Sequence, residues 1–357
     1  MDLRLIGGER IIRGFLSAIG FGVASSGWNP WVRLYSGFVT VLQLAIILRT
    51  FRLIIEQLLY GLSDFYLSIF IYVDLLTQVF IFILSLGDLR LQRRITSLLE
   101  DARGIQAFAS SVKITTLNRR QHLFAVGVVI VFVIVSILFA VFEHFSEKSQ
   151  NSGWSAIYDA VLLMISMRFM VAPTLLLIFL LQFAAEKFTE INRGFQDSDT
   201  PDIVPLMKLH FKLAEFVDGL SEAFNVYLVV LTAFCFMFFT SNFLVVIFGG
   251  IIIALRACGF QTALALSLLY AVVSWGQSVS NRANMSTKLA RRLEMDDLDG
   301  RSRKQLQLFL SSLACSPVKL SACDFFTIDK RMFLSVFAAV LAYIILFIQF
   351  VTPGNIS

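Results

Sequence analysis

The sequence predicts an all-α polytopic membrane protein. It has seven transmembrane helices in an inverted topology, N-terminus cytoplasmic and C-terminus extracellular. Three observations carry this. Of 357 residues, 57% are apolar and 15% are charged, whereas soluble chains are roughly 45–50% apolar and about 25% charged. The apolar residues gather in seven runs, each long enough as helix to cross a hydrocarbon core of about 30 Å. The basic residues are also one-sided: residues 1–34, 87–122, 187–225 and 281–331 hold 25 of the 30 Lys and Arg. The opposite side holds only Arg49, Arg52, Lys148 and Arg256, and Arg168 lies inside a run. Cytoplasmic loops carry the basic excess, and an odd number of spans puts the two ends on opposite sides.

Residues 1–34 are read as a cytoplasmic segment. The run Ile11 to Val23 resembles a signal-peptide core, but Arg13, Gly14, Gly20 and Gly22 interrupt it. The first span is about Tyr35–Ile54, with Arg49 and Arg52 at its outer end, where long side chains snorkel to the headgroups. The second, Phe65–Leu86, contains Asp74. Residues 87–122 are polar and include the amphipathic run Leu91, Ile95, Leu98, Leu99. The third span, Leu123–Phe142, is almost purely aliphatic, and 143–156 form a short outer loop.

The fourth span, Ile157–Ala185, exceeds one straight crossing and projects into the cytoplasm. From Lys187 to Asn225 the pattern is helical except for DSDTPDIVP, a loop by composition. The fifth and sixth spans are Val226–Phe248 and about Phe260–Ser280. Within 281–331, Leu306, Phe309, Leu310 and Leu313 form a stripe at helical spacing that stops at Ser316-Pro317. The regions 87–122, 187–225 and 281–331 carry most of the basic excess and are expected on the cytoplasmic side of one seven-helix domain spanning residues 1–357.

The last span, residues 332–351, has no charge over twenty residues. Ser335, Ala338, Ala339, Ala342 and Gln349 put small or polar groups on one side of it; Phe337, Tyr343, Phe347 and Phe350 are bulky. A small stripe bearing an amide suits close helix packing rather than contact with lipid.

An enzyme is not indicated. There is no nucleophile elbow, P-loop or dinucleotide fingerprint. His122, His144 and His210 are far apart, and Cys235, Cys258, Cys315 and Cys323 lack metal-ligand spacing, so no metal or cofactor is expected. The net charge of +5 is scattered over loops between apolar runs, which argues against nucleic acid.

Ala342-Tyr343, five apolar residues, then Gln349-Phe350 resembles the Thr-Tyr-x5-Gln-Phe ending of insect gustatory receptors, with alanine for threonine. The upstream ACDFFTIDKRMF, and the segments EKFTEINRGF and LMKLHFKLAEFVDGLSEAFN, also resemble that family. The resemblance implies a plasma-membrane, ligand-gated, non-selective cation channel for a small-molecule tastant. It further implies a homo- or hetero-tetramer with other gustatory receptor subunits, the last helices lining one pore and a cytoplasmic helical anchor formed from 87–122, 187–225 and 281–331. A short chain with few pocket acids resembles the family's bitter-type members more than its sugar receptors. The alternative is an inverted heptahelical chemoreceptor, or accessory subunit, that signals or assembles through a partner without conducting. A G-protein-coupled receptor is disfavoured: its N-terminus lies outside, and its acidic-Arg-Tyr and Asn-Pro-x-x-Tyr motifs are missing.

The expected pore and gate residues are Gln349, Phe350, Leu346 and Ala342. Four amides and four apolar side chains in a ring can coordinate a cation and gate by dewetting; the plain alternative for Gln349 is one interhelical hydrogen bond. The ligand-pocket candidates are Arg168, Asp74, Tyr158, Asp159, Gln261, Thr262, Tyr270 and Asn242. Arg168 inside the fourth span needs protein or water around it; it either meets ligand or pairs with Asp74. Tyr158 and Asp159 suit either a pocket mouth or interfacial anchoring. The resemblance implies a cavity in the outer half of the bundle, where Gln261, Thr262, Tyr270 and Asn242 are expected. His210 is expected to be a packed polar residue in the anchor.

Overall fold

The computed structural model describes residues 94–111, 171–196, 203–249, 260–292 and 300–351, with isolated positions between 38 and 91. Six helices lie in the continuous stretches: α1 (94–111), α2 (Ala172–Gln196), α3 (Ile203–Gly249), α4 (Phe260–Ala290), α5 (Gly300–Cys315) and α6 (Lys330–Val351). Between α5 and α6 stands a small hairpin, β1 (Ser321–Ala322) antiparallel to β2 (Phe326–Thr327).

The length of α3 sets the height of the bundle. Its 47 residues span about 70 Å at 1.5 Å per residue, more than twice a hydrocarbon core. Its two halves differ in pattern. From Leu206 to Phe224 the buried residues Leu206, Leu209, Leu213, Phe216, Val217, Leu220 and Phe224 follow one helical face. Lys208, Lys212, Glu215, Asp218 and Glu222 occupy the other face, as on a helix half in water. From Val226 to Gly249 no residue is charged, and the helix is long and apolar enough to cross a membrane. The fifth span and its amphipathic approach are therefore one continuous helix. The DSDTPDIVP segment is shorter as a loop than its composition suggested, because α3 already begins at Ile203.

Helix α2 runs antiparallel to α3. Thr174 meets Tyr227, Phe183 meets Phe216 at 5.9 Å, Phe188 meets His210 at 5.1 Å, and Gly194 lies against Leu206. Helix α4 is parallel to α2 and antiparallel to α3, since Cys235 reaches Ala265 and His210 reaches Ala283. Among the described elements, α2 and α4 share the most extensive contact. The sixth apolar run thus continues ten residues beyond Ser280 as helix. Helix α1 also runs antiparallel to the polar half of α3: Arg94 pairs with Glu222 at 2.7 Å, Leu98 packs on Gly219, and Lys212 lies over the Phe108 ring at 4.7 Å. Its buried Ile95, Leu98 and Leu99 are residues of the expected amphipathic run.

The core is continuous along α1 to α5 and extends to the hairpin and the base of α6. In α5, Leu306, Phe309 and Leu313 are buried. Phe309 stacks near Phe195, His210 and Phe211 at 6.4, 5.2 and 5.3 Å. The stripe read from sequence is a packing face. The helix ends at Cys315, just ahead of Pro317, which cannot donate a backbone hydrogen bond.

The sequence reading did not include the hairpin. Its turn closes through Phe325 N–H donating to Ala322 O at 3.0 Å, with Cys323 and Asp324 at φ of 50° and 57°. Consecutive positive φ values are usually supplied by Asn-Gly or Asp-Gly, and Cys-Asp gives no such signal.

Candidate functional site

Helix α6 has two unlike sides. Val340 and Ile344 are buried, and Phe333, Val336 and Phe337 are half-buried. These five share one side at helical spacing and face α3 and α4. Phe337 packs on Phe239 of α3 at 4.7 Å, and Phe333 on Tyr270 of α4 at 5.8 Å. At about 100° per residue, Ser335, Ala342 and Gln349 fall within roughly 40° of one another, opposite that packed side. All three are exposed, as are Ala338 and Ala339, and Leu346 is 53% exposed. The chain therefore leaves open the side of α6 that carries its small residues and its amide. The Ser335 hydroxyl is turned inward, donating to Arg331 O at 2.9 Å. Gln349 stands about 25 Å above Met332. Phe350 lies in the same last turn, its side chain outside the described residues. Tyr343 is not on the packed side: it is 48% exposed, on a flank of the open face.

The base of α6 is held by the hairpin. Asp329 caps the helix, its Oδ1 accepting from Met332 N–H at 2.9 Å. Ile328 N–H donates to Leu320 O at 2.8 Å, closing the hairpin just before that cap. Two helices grip it. Ser280 of α4 donates to Val318 O at 2.9 Å, and Ser221 Oγ of α3 accepts from Ser321 N–H at 3.3 Å. At Gly276 of α4 an added Cβ would lie 3.2 Å from Leu320 Cδ2 and 3.3 Å from the Ile328 carbonyl. Glycine is what allows the hairpin to sit this close to α4. Helix α4 is thus linked to α6 twice, through the hairpin and through Tyr270.

A polar staple ties α4 to α2. Arg282 Nη1 donates to Ala185 O at 3.0 Å and to Thr189 Oγ1 at 2.9 Å. Asn192 Nδ2 donates to Arg282 O at 2.9 Å, and Ser286 donates to Asn192 Oδ1 at 2.7 Å. Lys187 on α2 is 1% exposed and pairs with Glu190 at 2.7 Å. Burial pushes the Lys187 ammonium below its ordinary value and the Glu190 carboxyl above it; their mutual contact opposes both shifts. Lys187, Thr189, Glu190 and Asn192 all lie in EKFTEINRGF. His210 is fully buried among Phe188, Phe211 and Phe309, with Nε2 3.5 Å from Ala283 O. Burial lowers its pKa to about 4, so the ring is neutral.

The pocket candidates are only partly placed. Arg168, Asp74, Tyr158 and Asp159 lie outside the described residues. Gln261 and Thr262 fall in the first turn of α4, and their side chains are likewise outside the description. Tyr270 is exposed beside the first turn of α6. Asn242 is buried on α3, one turn beyond Phe239, which meets the second turn of α6. These two residues therefore stand at levels of the bundle roughly 10 Å apart. Two hydroxyls beside Asn242 are satisfied within α3 itself: Thr240 donates to Phe236 O and Ser241 to Met237 O, each at 2.8 Å. Among the described residues no His, Cys, Asp and Glu group is arranged to hold a metal.

Residues 20–352 match the sequence profile of the 7tm chemosensory receptors. The chain belongs to that family. Its fold is also that of a solved structure, the insect olfactory receptor OR5 from Machilis hrabei, with a TM-score of 0.74 over 95% of this chain and 98% of that one. The same agreement holds for OR5 in complex with eugenol. Sequence identity to OR5 is 11%, so the likeness is one of fold. A comparison with curated protein sequences gives no match. The chain is thus a multi-pass membrane chemoreceptor of a seven-helix family.

Proposed function

We propose that the protein is a subunit of a ligand-gated, non-selective cation channel of the gustatory type, a tetramer with α6 of each copy lining a shared pore. The observation that carries this is the open side of α6. A membrane-length helix packs Phe333, Val336, Phe337, Val340 and Ile344 toward α3 and α4 and leaves Ser335, Ala338, Ala342 and Gln349 uncovered, together with large residues such as Leu334, Leu341 and Ile345 on the flank. An amide gains nothing by facing lipid, whereas around an axis it meets water, ions and its own symmetry mates. Gln349, Leu346, Phe350 and Ala342 are the residues proposed for the pore and gate. The basic excess orients the polar half of α3, with α1, α5 and the ends of α2 and α4, toward the cytoplasm as an anchor.

The ligand is proposed to be a small organic tastant bound in the outer half of the bundle. OR5 has been solved with eugenol, a small aromatic molecule, and a mixed aromatic and polar lining suits that class here. The Gln-Phe ending of the last helix favours the gustatory branch, and the few pocket acids favour a bitter-type ligand. Gating follows from the linkage at the base of α6. A ligand that prefers one setting of α4 shifts the equilibrium of settings by its differential affinity. The hairpin and Tyr270 carry that shift to the first turn of α6.

The test is cation current from cells expressing this chain alone, challenged with a panel of bitter organic compounds. Single cysteines from Ser335 to Val351 are then probed from outside with a charged thiol reagent. Modification is expected at 349 and at 346 or 350, with little at 340 and 344. Block following the packed side instead would refute the pore face. The absence of any current, with the chain at the cell surface, would favour a receptor that signals through a partner.

A further inference from the structure

We infer that the hairpin tip, Asp324 and Phe325, docks on a second copy of this chain, against the exposed face of its α5 around Lys304 and Leu308. The inference rests on the proposed assembly into oligomers and names a contact within it.

Phe325 is 81% exposed, the largest value among the described exposed large apolar residues. It stands on a turn whose two preceding residues hold φ of 50° and 57°, values that L side chains rarely adopt. The turn is not free to relax. Strand pairing of Ser321 with Thr327 and Ala322 with Phe326, the Ser221 contact and the close pass at Gly276 fix it to α3 and α4. A phenylalanine held rigidly outward is preorganised for a partner. Lipid fits poorly. Asp324 is exposed beside the ring, its carboxylate accepting from Ser321 Oγ at 3.4 Å, and an anionic cytoplasmic leaflet repels it.

A complementary surface lies on the same chain. With Leu306, Phe309 and Leu313 turned into the core, α5 presents Arg301, Lys304, Leu308 and Ser311 outward. Leu308 is 64% exposed, one turn from Lys304 and two from Arg301. An aromatic ring with a carboxylate thus meets an aliphatic side chain with two cations. Two complementary surfaces on different elements can meet head-to-tail, a contact that closes into a ring when the rotation allows and so fits the proposed tetramer.

Two differently tagged copies, one carrying Phe325→Cys and the other Leu308→Cys, each with Cys315→Ser and Cys323→Ser, are co-expressed and oxidised in the membrane. A disulfide-linked mixed pair is expected, and no such pair from either copy alone, since a disulfide requires Cα atoms within about 7 Å. Asp324→Lys and Lys304→Glu should each lower the assembled fraction in detergent several-fold, and together restore it. Release of a monodisperse single copy, rather than aggregate, separates a lost contact from a lost fold. An assembled wild type that gives no mixed pair and tolerates Asp324→Lys would overturn this docking while leaving the assembly reading intact. A wild type running as single copies would overturn both. Quenching of Phe325→Trp fluorescence by brominated lipid would place the tip in the membrane and also overturn the inference.

Discussion

Asn192→Ala tests whether the staple between α2 and α4 acts as one unit. The change removes the donor to Arg282 O at 2.9 Å and the acceptor of the Ser286 hydroxyl at 2.7 Å. Two neutral hydrogen bonds contribute about 0.5–1.5 kcal/mol each, and an orphaned buried hydroxyl would add about 1–3 kcal/mol. Ser286 is fully buried, but its hydroxyl has a fallback. Thr189, Thr232, Thr240, Ser241 and Ser335 each bond the carbonyl four residues earlier in their own helix. In the variant Ser286 can rotate onto Arg282 O, which has just lost its donor, and the orphan penalty is largely avoided. The expected loss is therefore about 1–2 kcal/mol. Ser286→Ala should lose a similar amount, because Asn192 Oδ1 is then left without its donor in a buried site. The double variant should lose little more than Asn192→Ala alone. The assay is reversible unfolding in mixed micelles, read as a double-mutant cycle. Additivity within about 0.3 kcal/mol would refute the shared contact.

Two further outcomes follow from the same geometry. Gly276→Ala should cost about 1–3 kcal/mol, the usual range for overpacking, because the Ile328 carbonyl 3.3 Å away is backbone and cannot rotate aside; it should also weaken the response to ligand more than Ala271→Gly does, measured as current at matched surface expression. His210 has a folded pKa near 4, below its unfolded value of about 6.5, so its stabilising neutrality is fully present above about pH 6.5 and is lost as pH falls toward 4. Wild type should lose about 2 kcal/mol between pH 7.5 and pH 5 through this group. His210→Phe, which keeps a ring among Phe188 and Phe309, should lose about that much less over the same interval; equal slopes for the two proteins would refute the buried neutral imidazole.

Much of the bundle was legible because burial repeats at helical spacing wherever one side of a helix meets water. Leu306, Phe309 and Leu313 are buried on α5, and Ile95, Leu98 and Leu99 on α1, as their spacing required. The same logic fails where the chain is apolar on every side. In the last span, composition shows that a small stripe exists; only the contacts of Phe333 and Phe337 show that the stripe faces outward and that Tyr343 flanks it. Depth was harder still. The resemblance puts Tyr270 with Asn242 in an outer-half cavity; the Tyr270 ring meets Phe333 in the first turn of α6, whereas Asn242 lies beyond Phe239, which meets the second turn. Helix length alone does not fix how two helices slide past one another. The hairpin left no signal, since Cys323 and Asp324 adopt positive φ without glycine. That conformation is tolerable because the flanking residues are fixed on both sides, by Ser221 and Gly276 before the turn and by the Asp329 cap after it. Local propensity argues against such a turn, and tertiary packing imposes it. The strained turn stands at the base of the helix proposed to line the pore, where Gly276 of α4 abuts Leu320 and Ile328, Ile328 closes on Leu320, and the Asp329 cap starts α6 one residue later; under the proposed function, a displacement of α4 reaches α6 through these direct contacts.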